Sequence, residues 1–129
     1  RRLFVDYLRD YARSENKTVF LTSHIIQDME RLIDDCIIMD YGSILIQQPI
    51  ETLMKGLRKY TCTVPEGYQP QLPVTCYHPA VIRQTLETYS FLPPSDVEGL
   101  LKENQVPFTG LQHENVGLED AFIGLTGKY

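Results

Sequence analysis

No apolar run in the sequence approaches the roughly twenty residues that a membrane-crossing helix needs. No cationic-then-apolar leader opens it either. The expectation is a soluble chain, able to dock on a membrane protein without entering the bilayer. Cysteine is scarce: Cys36, Cys62 and Cys76 are three, an odd number at wide spacing. That pattern argues against a disulfide framework and for a reducing cytosol, where a thiol such as Cys36, at the head of an apolar run, behaves as a small hydrophobe. Positive charge is in short supply. Twelve lysines and arginines face seventeen aspartates and glutamates, a net charge of −5, and the pI is near 5.1. No basic face is left to neutralise phosphates, so no nucleic-acid partner is expected. The densest cationic group, Lys55, Arg58 and Lys59, is short enough to read as a solvated helix end. Internal repeats and low-complexity stretches are absent.

What is present is ordinary globular material: 129 residues, 43% hydrophobic and 22% charged, enough for one modest domain or two very small ones. Arg1-Arg2-Leu3-Phe4 enters amphipathic sequence with no Met and no capping residue, as expected of a cut inside or at the edge of a helix. Leu3, Phe4, Tyr7, Leu8 and Tyr11 form a helical stripe that ends at Ser14-Glu15-Asn16. The short β-branched and aromatic run Thr18 to Thr22 reads as a strand buried on both faces. Helical spacing resumes at Ile25, Ile26, Met29, Leu32 and Ile33, and Cys36 to Met39 reads as a second strand. Residues 18–39 are therefore predicted to be the βαβ unit of a parallel sheet.

Asp40-Tyr41-Gly42 is a turn signal, from which Ser43 to Gln47 returns antiparallel, and Pro49 suits the first turn of a helix with Leu53 and Leu57 on its apolar side. Near residue 58 the character changes, because most prolines lie beyond it and the elements shorten. Strands are predicted at 60–64 and at 74–77 (stopped by Pro79), with a loop at 66–73. Residues 80–91 read two ways: Ala80 to Leu86 is open to a helix, while the strand formers from Thr85 to Phe91 favour a strand. Ser95-Asp96-Val97-Glu98 is a capping box opening a helix through Leu101, and 108–111 reads as a strand. The last helix runs from Gly117 to Leu125, with Glu119 and Asp120 in its first turn and Gly127 past its end.

His24 is the strongest candidate for chemistry. It stands with Ser23 at the carboxyl end of a predicted buried strand and just before a helix, where open α/β sheets place their ligands and helix N-termini favour anions. Position alone leaves a plain cap or packing histidine the commoner outcome. Cys62, Cys76, His78 and His113 match no familiar zinc spacing and read as packing residues. The adjacent carboxylates Asp34-Asp35 and Glu119-Asp120 suit a strand entry and a helix dipole, and the tyrosines are too scattered to stack bases.

Thr18-Val19-Phe20-Leu21-Thr22-Ser23-His24, the helix with Met29-Glu30, and Asp34 through Gly42 together resemble the switch-histidine region of ATP-binding-cassette (ABC) transporter ATPases. Pro49-Ile50-Glu51-Thr52-Leu53 is similar to the helix that follows in that family. Gly117-Leu118-Glu119-Asp120-Ala121-Phe122 with Leu125-Thr126-Gly127 resembles the end of the accessory C-terminal domain of drug-, bacitracin- or sodium-export types. The resemblance implies an α/β fold: a truncated parallel βαβ piece of a P-loop NTPase sheet in residues 1–57, then a small accessory α+β domain in 58–129. It makes His24 the switch histidine, which hydrogen-bonds the γ-phosphate and helps organise the attacking water in phosphoryl transfer to water.

The same resemblance gives the parent ATP and magnesium as cofactors, a membrane permease and a second ATPase subunit as partners, and a cytoplasmic place at the membrane periphery. The sequence departs from the family in having no G-x-x-x-x-G-K-[ST] loop, no signature segment and no acidic magnesium-binding strand. This chain alone is accordingly expected neither to hold ATP or another cofactor nor to turn it over. In the family sheet both neighbours of residues 18–22 come from the missing part, so that strand is expected to close onto 36–39 or to pair with another chain. A binding role stays open beside the motor reading, with the segment after residue 58 as a regulatory or dimerisation module.

Overall fold

The computed structural model describes residues 2–14, 16–23, 26 and 29–127. Helix α1 spans Arg2–Ser14 and is followed by an irregular stretch and a single 3-10 turn at Met29–Arg31. Strands β1 (Asp35–Asp40) and β2 (Ser43–Pro49) form an antiparallel hairpin that leads into α2 (Ile50–Gly56). Then come β3 (Arg58–Thr63), β4 (Tyr77–Ile82), β5 (Thr85–Ser90), α3 (Pro94–Glu103), β6 (Thr109–Asn115) and α4 (Leu118–Thr126). The last four strands make one antiparallel sheet in the order β4-β5-β3-β6.

Local chemistry accounts for the hairpin. Tyr41 (φ 49°) and Gly42 (φ 76°) both occupy the left-handed region, the pair of conformations that a two-residue type I′ turn requires. Alternation then puts Cys36, Ile38 and Ile46 on one face of the hairpin. That face joins Leu53 and Leu57 of α2, Tyr89 of β5 and Leu118, Ala121 and Leu125 of α4 in a first core. A second core lies between α3 and the four-stranded sheet: Tyr60, Cys62 and Leu86 from the strands meet Val97 and Leu101 from the helix, closed by Val64 and Val106. Strand β5 serves both cores, through Leu86 in one and Tyr89 in the other. Helix α4 ends at Gly127, whose φ of 73° lets its N–H reach the Ile123 carbonyl at 2.7 Å.

Several expectations are corrected. Residues 18–22 form no strand; they are irregular and exposed, with Phe20 82% exposed. They do not close onto 36–39, since β1 pairs with β2 alone, and every strand pair among the described residues is antiparallel. The parallel βαβ unit is thus not formed. A strand exists only through its partners, and no strand among the described residues pairs with Val19, Phe20 and Leu21. The helix expected over residues 25–33 is represented among the described residues by the 3-10 turn, held by Leu32 and Ile33 amides on the Met29 carbonyl at 2.9 and 3.1 Å.

Further along, the strand expected at 74–77 begins only at Tyr77 and runs through Pro79 to Ile82. Proline is tolerated there because β4 is an edge strand with a bulge between Tyr77 and Ala80. The capping box at Ser95 is replaced by an earlier start. Pro93 is the cap and Pro94 opens α3, so Ser95 lies inside the helix and Glu98 pairs with Lys102 at 3.4 Å instead. The cationic group is divided as well: Lys55 pairs with Glu51 on α2 at 2.7 Å, while Arg58 and Lys59 are half-buried in β3.

The α1 stripe is covered on one side only. Val5 is buried and Leu8 and Ala12 are partly covered, whereas Phe4, Tyr7 and Tyr11 are exposed. On the hairpin, Ile37, Met39, Ile44 and Leu45 are likewise left facing water.

Candidate functional site

His24, the residue singled out for chemistry, lies outside the described residues. Ser23, its neighbour, is exposed. Downstream, the described residues are anchored. Ile26, Met29 and Ile33 pack against the first core, the Met29 amide donates to the Ile26 carbonyl at 3.0 Å, and the Ile50 amide donates to the Asp34 carbonyl at 2.8 Å. The Glu30 carboxylate then crosses to the other end of the chain, where its Oε1 accepts the Leu118 N–H at 2.7 Å. Helix α4 has Gly117 at its N-cap and no side-chain cap of its own. Glu30 fills that place and sets negative charge against the positive end of the helix.

Of the four residues weighed as metal ligands, the thiols of Cys62 and Cys76 are buried and the two histidines, His78 and His113, are exposed. The Nε2 of His78 sits 3.1 Å from the Leu125 carbonyl at the end of α4. The His113 ring lies 5.9 Å from that of Tyr60. No group of three histidine, cysteine, aspartate or glutamate side chains comes together as a metal site among the described residues. Between β3 and β6 lies a polar hollow of about 130 Å³ lined by Lys59, Thr61, Gln112, His113 and Glu114. Burial works against the Lys59 ammonium, but Glu87 at 3.3 Å, aided by Tyr89 and Glu114, outweighs it and raises its pKa. This hollow offers one ammonium and one carboxylate, too few groups to cradle a triphosphate and its metal.

Burial raises the thiol of each of Cys36, Cys62 and Cys76 above its ordinary 9.0, and raises the Tyr60 phenol above 10.0. The unfolded chain therefore loses these protons at a lower pH than the folded chain. Unfolding then releases protons at alkaline pH, and stability falls as pH rises past the unfolded thiol value. Urea unfolding is expected to give a nearly constant free energy from pH 7 to 8.5. It should fall between pH 8.5 and pH 10, at no more than about 1.4 kcal/mol per pH unit per group. A free energy that held or rose over that interval would contradict the burial assigned to the three thiols.

Sequence reading missed Glu30 as a cap and Gly124 as a close-packing point. The first had a signal: a helix beginning after Gly117, without Ser, Thr, Asp or Asn, needs its N–H groups satisfied from elsewhere. The second needed the partner ring, Tyr89, which no local pattern supplies.

The chain is similar to Nod factor export ATP-binding protein I of Ralstonia nicotianae, with 31% identity over a 139-residue alignment covering 99% of the chain and 42% of that protein. It is similar to the protein of the same name from Burkholderia orbicola, with 27% identity and the same shares covered. Bacitracin transport ATP-binding protein BcrA of Bacillus licheniformis matches at 36% identity over 53 residues, 41% of the chain and 17% of that protein. No family model and no solved structure matches. The chain thus spans about two fifths of the length of the Nod factor export proteins. A relationship to ABC-type ATP-binding proteins is supported over nearly the whole chain. No helix among the described residues is long and apolar enough to cross a membrane.

Proposed function

We propose that the chain is the C-terminal portion of an export-type ABC ATPase subunit, with residues 1–57 ending the ATP-binding core and 58–129 forming an accessory α+β unit. One observation carries the reading. Of the thirteen large apolar side chains exposed among the described residues, all but Val74 and Ile82 lie between Phe4 and Leu45. Scattered exposed apolar residues are ordinary, but a concentration of this kind marks a surface built to be covered. It falls on the part of the chain that resembles the ATPase core, and the relatives have more than half their length still to place.

In the whole protein, ATP and magnesium would be held by the absent segments, and His24 would contact the γ-phosphate. Hydrolysis would drive export through a separate membrane permease, with a second ATPase subunit alongside. Calorimetry with magnesium-ATP should show no binding to the chain alone, and a micromolar affinity would refute the assignment of the phosphate site to missing sequence. When the chain is joined to the complementary N-terminal part of the Ralstonia relative, ATP binding and turnover should appear. His24→Ala should then cut turnover by roughly tenfold or more with nucleotide binding kept, and undiminished turnover would remove His24 from the chemistry.

A second reading makes residues 58–129 a self-associating binding module. It is favoured by β6, which forms one edge of the sheet with six of its seven residues exposed. Sedimentation separates the two, since a concentration-dependent dimer that survives deletion of residues 1–57 belongs to the second.

A further inference from the structure

The contact between Glu30 and α4 joins residues 88 positions apart. One partner is the first amide of a nine-residue helix; the other stands six residues after His24. We propose that Glu30 is a latch that couples α4 to the turn at Met29–Arg31, so that α4 cannot leave its seat without freeing that turn.

Three features converge on this. The Leu118 N–H has no acceptor within its own helix, because the first amides of a helix never do. Among the described residues the N-terminal cap of α4 is therefore tertiary, a 2.7 Å bond to a carboxylate that also meets the helix dipole. Second, Met29 and Ile33, on either side of Glu30, pack into the core that holds Leu118, Ala121 and Leu125, so the apolar and polar contacts share one interface. Third, Gly117 leaves room at the latch, as an added Cβ would come within 3.2 Å of the Glu30 Oε1.

The 3-10 turn is held by these contacts together with its own backbone bonds through the Ile26 and Met29 carbonyls. It is three residues long, none of them buried, and it lies against a helix rather than in a sheet. A turn so short owes its position to its contacts, and coupling through shared contacts is reciprocal. Loosening α4 should release the turn, and breaking the turn's grip should loosen the start of α4. The inference stands on these contacts and does not require the ATPase reading.

Amide hydrogen exchange on the full 129-residue chain tests it. In Glu30→Ala, exchange at Leu118 should accelerate about tenfold, the range of a lost cap, and exchange at Leu32 and Ile33 should accelerate about fivefold or more. Cys62 and Leu86, paired at the centre of the four-stranded sheet, should change by less than twofold. Glu30→Gln, which keeps an acceptor oxygen, should stay within about threefold of the native chain at Leu118. Unchanged exchange at Leu32 and Ile33 in the alanine variant, whatever happens at Leu118, would overturn the coupling. An equal acceleration at Cys62 and Leu86 would also overturn it, because the effect would then be a general loss of stability.

Discussion

Gly124→Ala should destabilise the fold by about 2 kcal/mol, although helix propensity alone forecasts a gain of about 1 kcal/mol. The two effects have opposite signs, and geometry decides between them. A Cβ built on Gly124 would lie 2.4 Å from Cδ2 and Cγ of the Tyr89 ring and 2.7 Å from its Cδ1. The ring cannot swing clear at low cost, since Tyr89 is only 7% exposed and belongs to the first core. The helix must lift instead, and lifting it loosens Ala121 and Leu125, both buried in the same core. Overpacking of this kind costs about 1–3 kcal/mol, with more when a whole element shifts. Urea unfolding at pH 7 should show a lower midpoint with an unchanged slope. A raised midpoint would mean that propensity wins and that α4 does not approach the sheet this closely.

The parts of the fold legible in the sequence are those fixed by near neighbours. Asp40-Tyr41-Gly42 selects the hairpin turn because two left-handed residues in a row fit few other structures. Gly127 ends α4 for the same kind of reason, and the run Thr85 to Ser90 is a strand that its β-formers announce. What failed depended on company. The run from Thr18 to Thr22 has the composition of a buried strand, but composition states only what the segment would do beside a sheet. Without paired neighbours its backbone is left to water and its apolar side chains stay exposed. Pro79 was read as a stop because proline removes a donor, yet an edge strand has donors to spare.

The candidate site divides in the same way. His24 was picked out by its place in a pattern and lies outside the described residues. Glu30 enters the sequence reading only as the acidic residue of Met29-Glu30, yet it bonds to the start of α4. Local pattern carries no information about a partner 88 residues away. The boundary proposed at residue 58 is also subtler than the change in composition implied. The first core draws on Leu53 and Leu57 from one side of it and on Tyr89, Val116 and α4 from the other.

The largest stability effect expected falls in the second core. Tyr60→Ala should cost about 4 kcal/mol, in the range found for removing a buried aromatic ring. Tyr60 is 1% exposed at the middle of β3, packed with Cys62, Leu86, Val97 and Leu101. Its hydroxyl donates to the Leu92 carbonyl at 2.6 Å, which pins the turn before α3. Tyr60→Phe keeps the ring and loses only that bond, so it should cost about 1 kcal/mol. The gap between the two variants isolates packing from hydrogen bonding in one position.

Tyr60 belongs to the second core, but β3 pairs with β5 along its length, and β5 carries Tyr89 into the first. Loss of the Tyr60 ring is therefore expected to lower both cores together, in a single transition whether followed by aromatic circular dichroism or by exchange at Ile38 and Ile46. Two separated transitions would show that the cores melt independently. The hairpin and α2 would then be held to the rest of the chain by less than Tyr89 and α4 provide, and the division at residue 58 would be one of stability as well as of sequence.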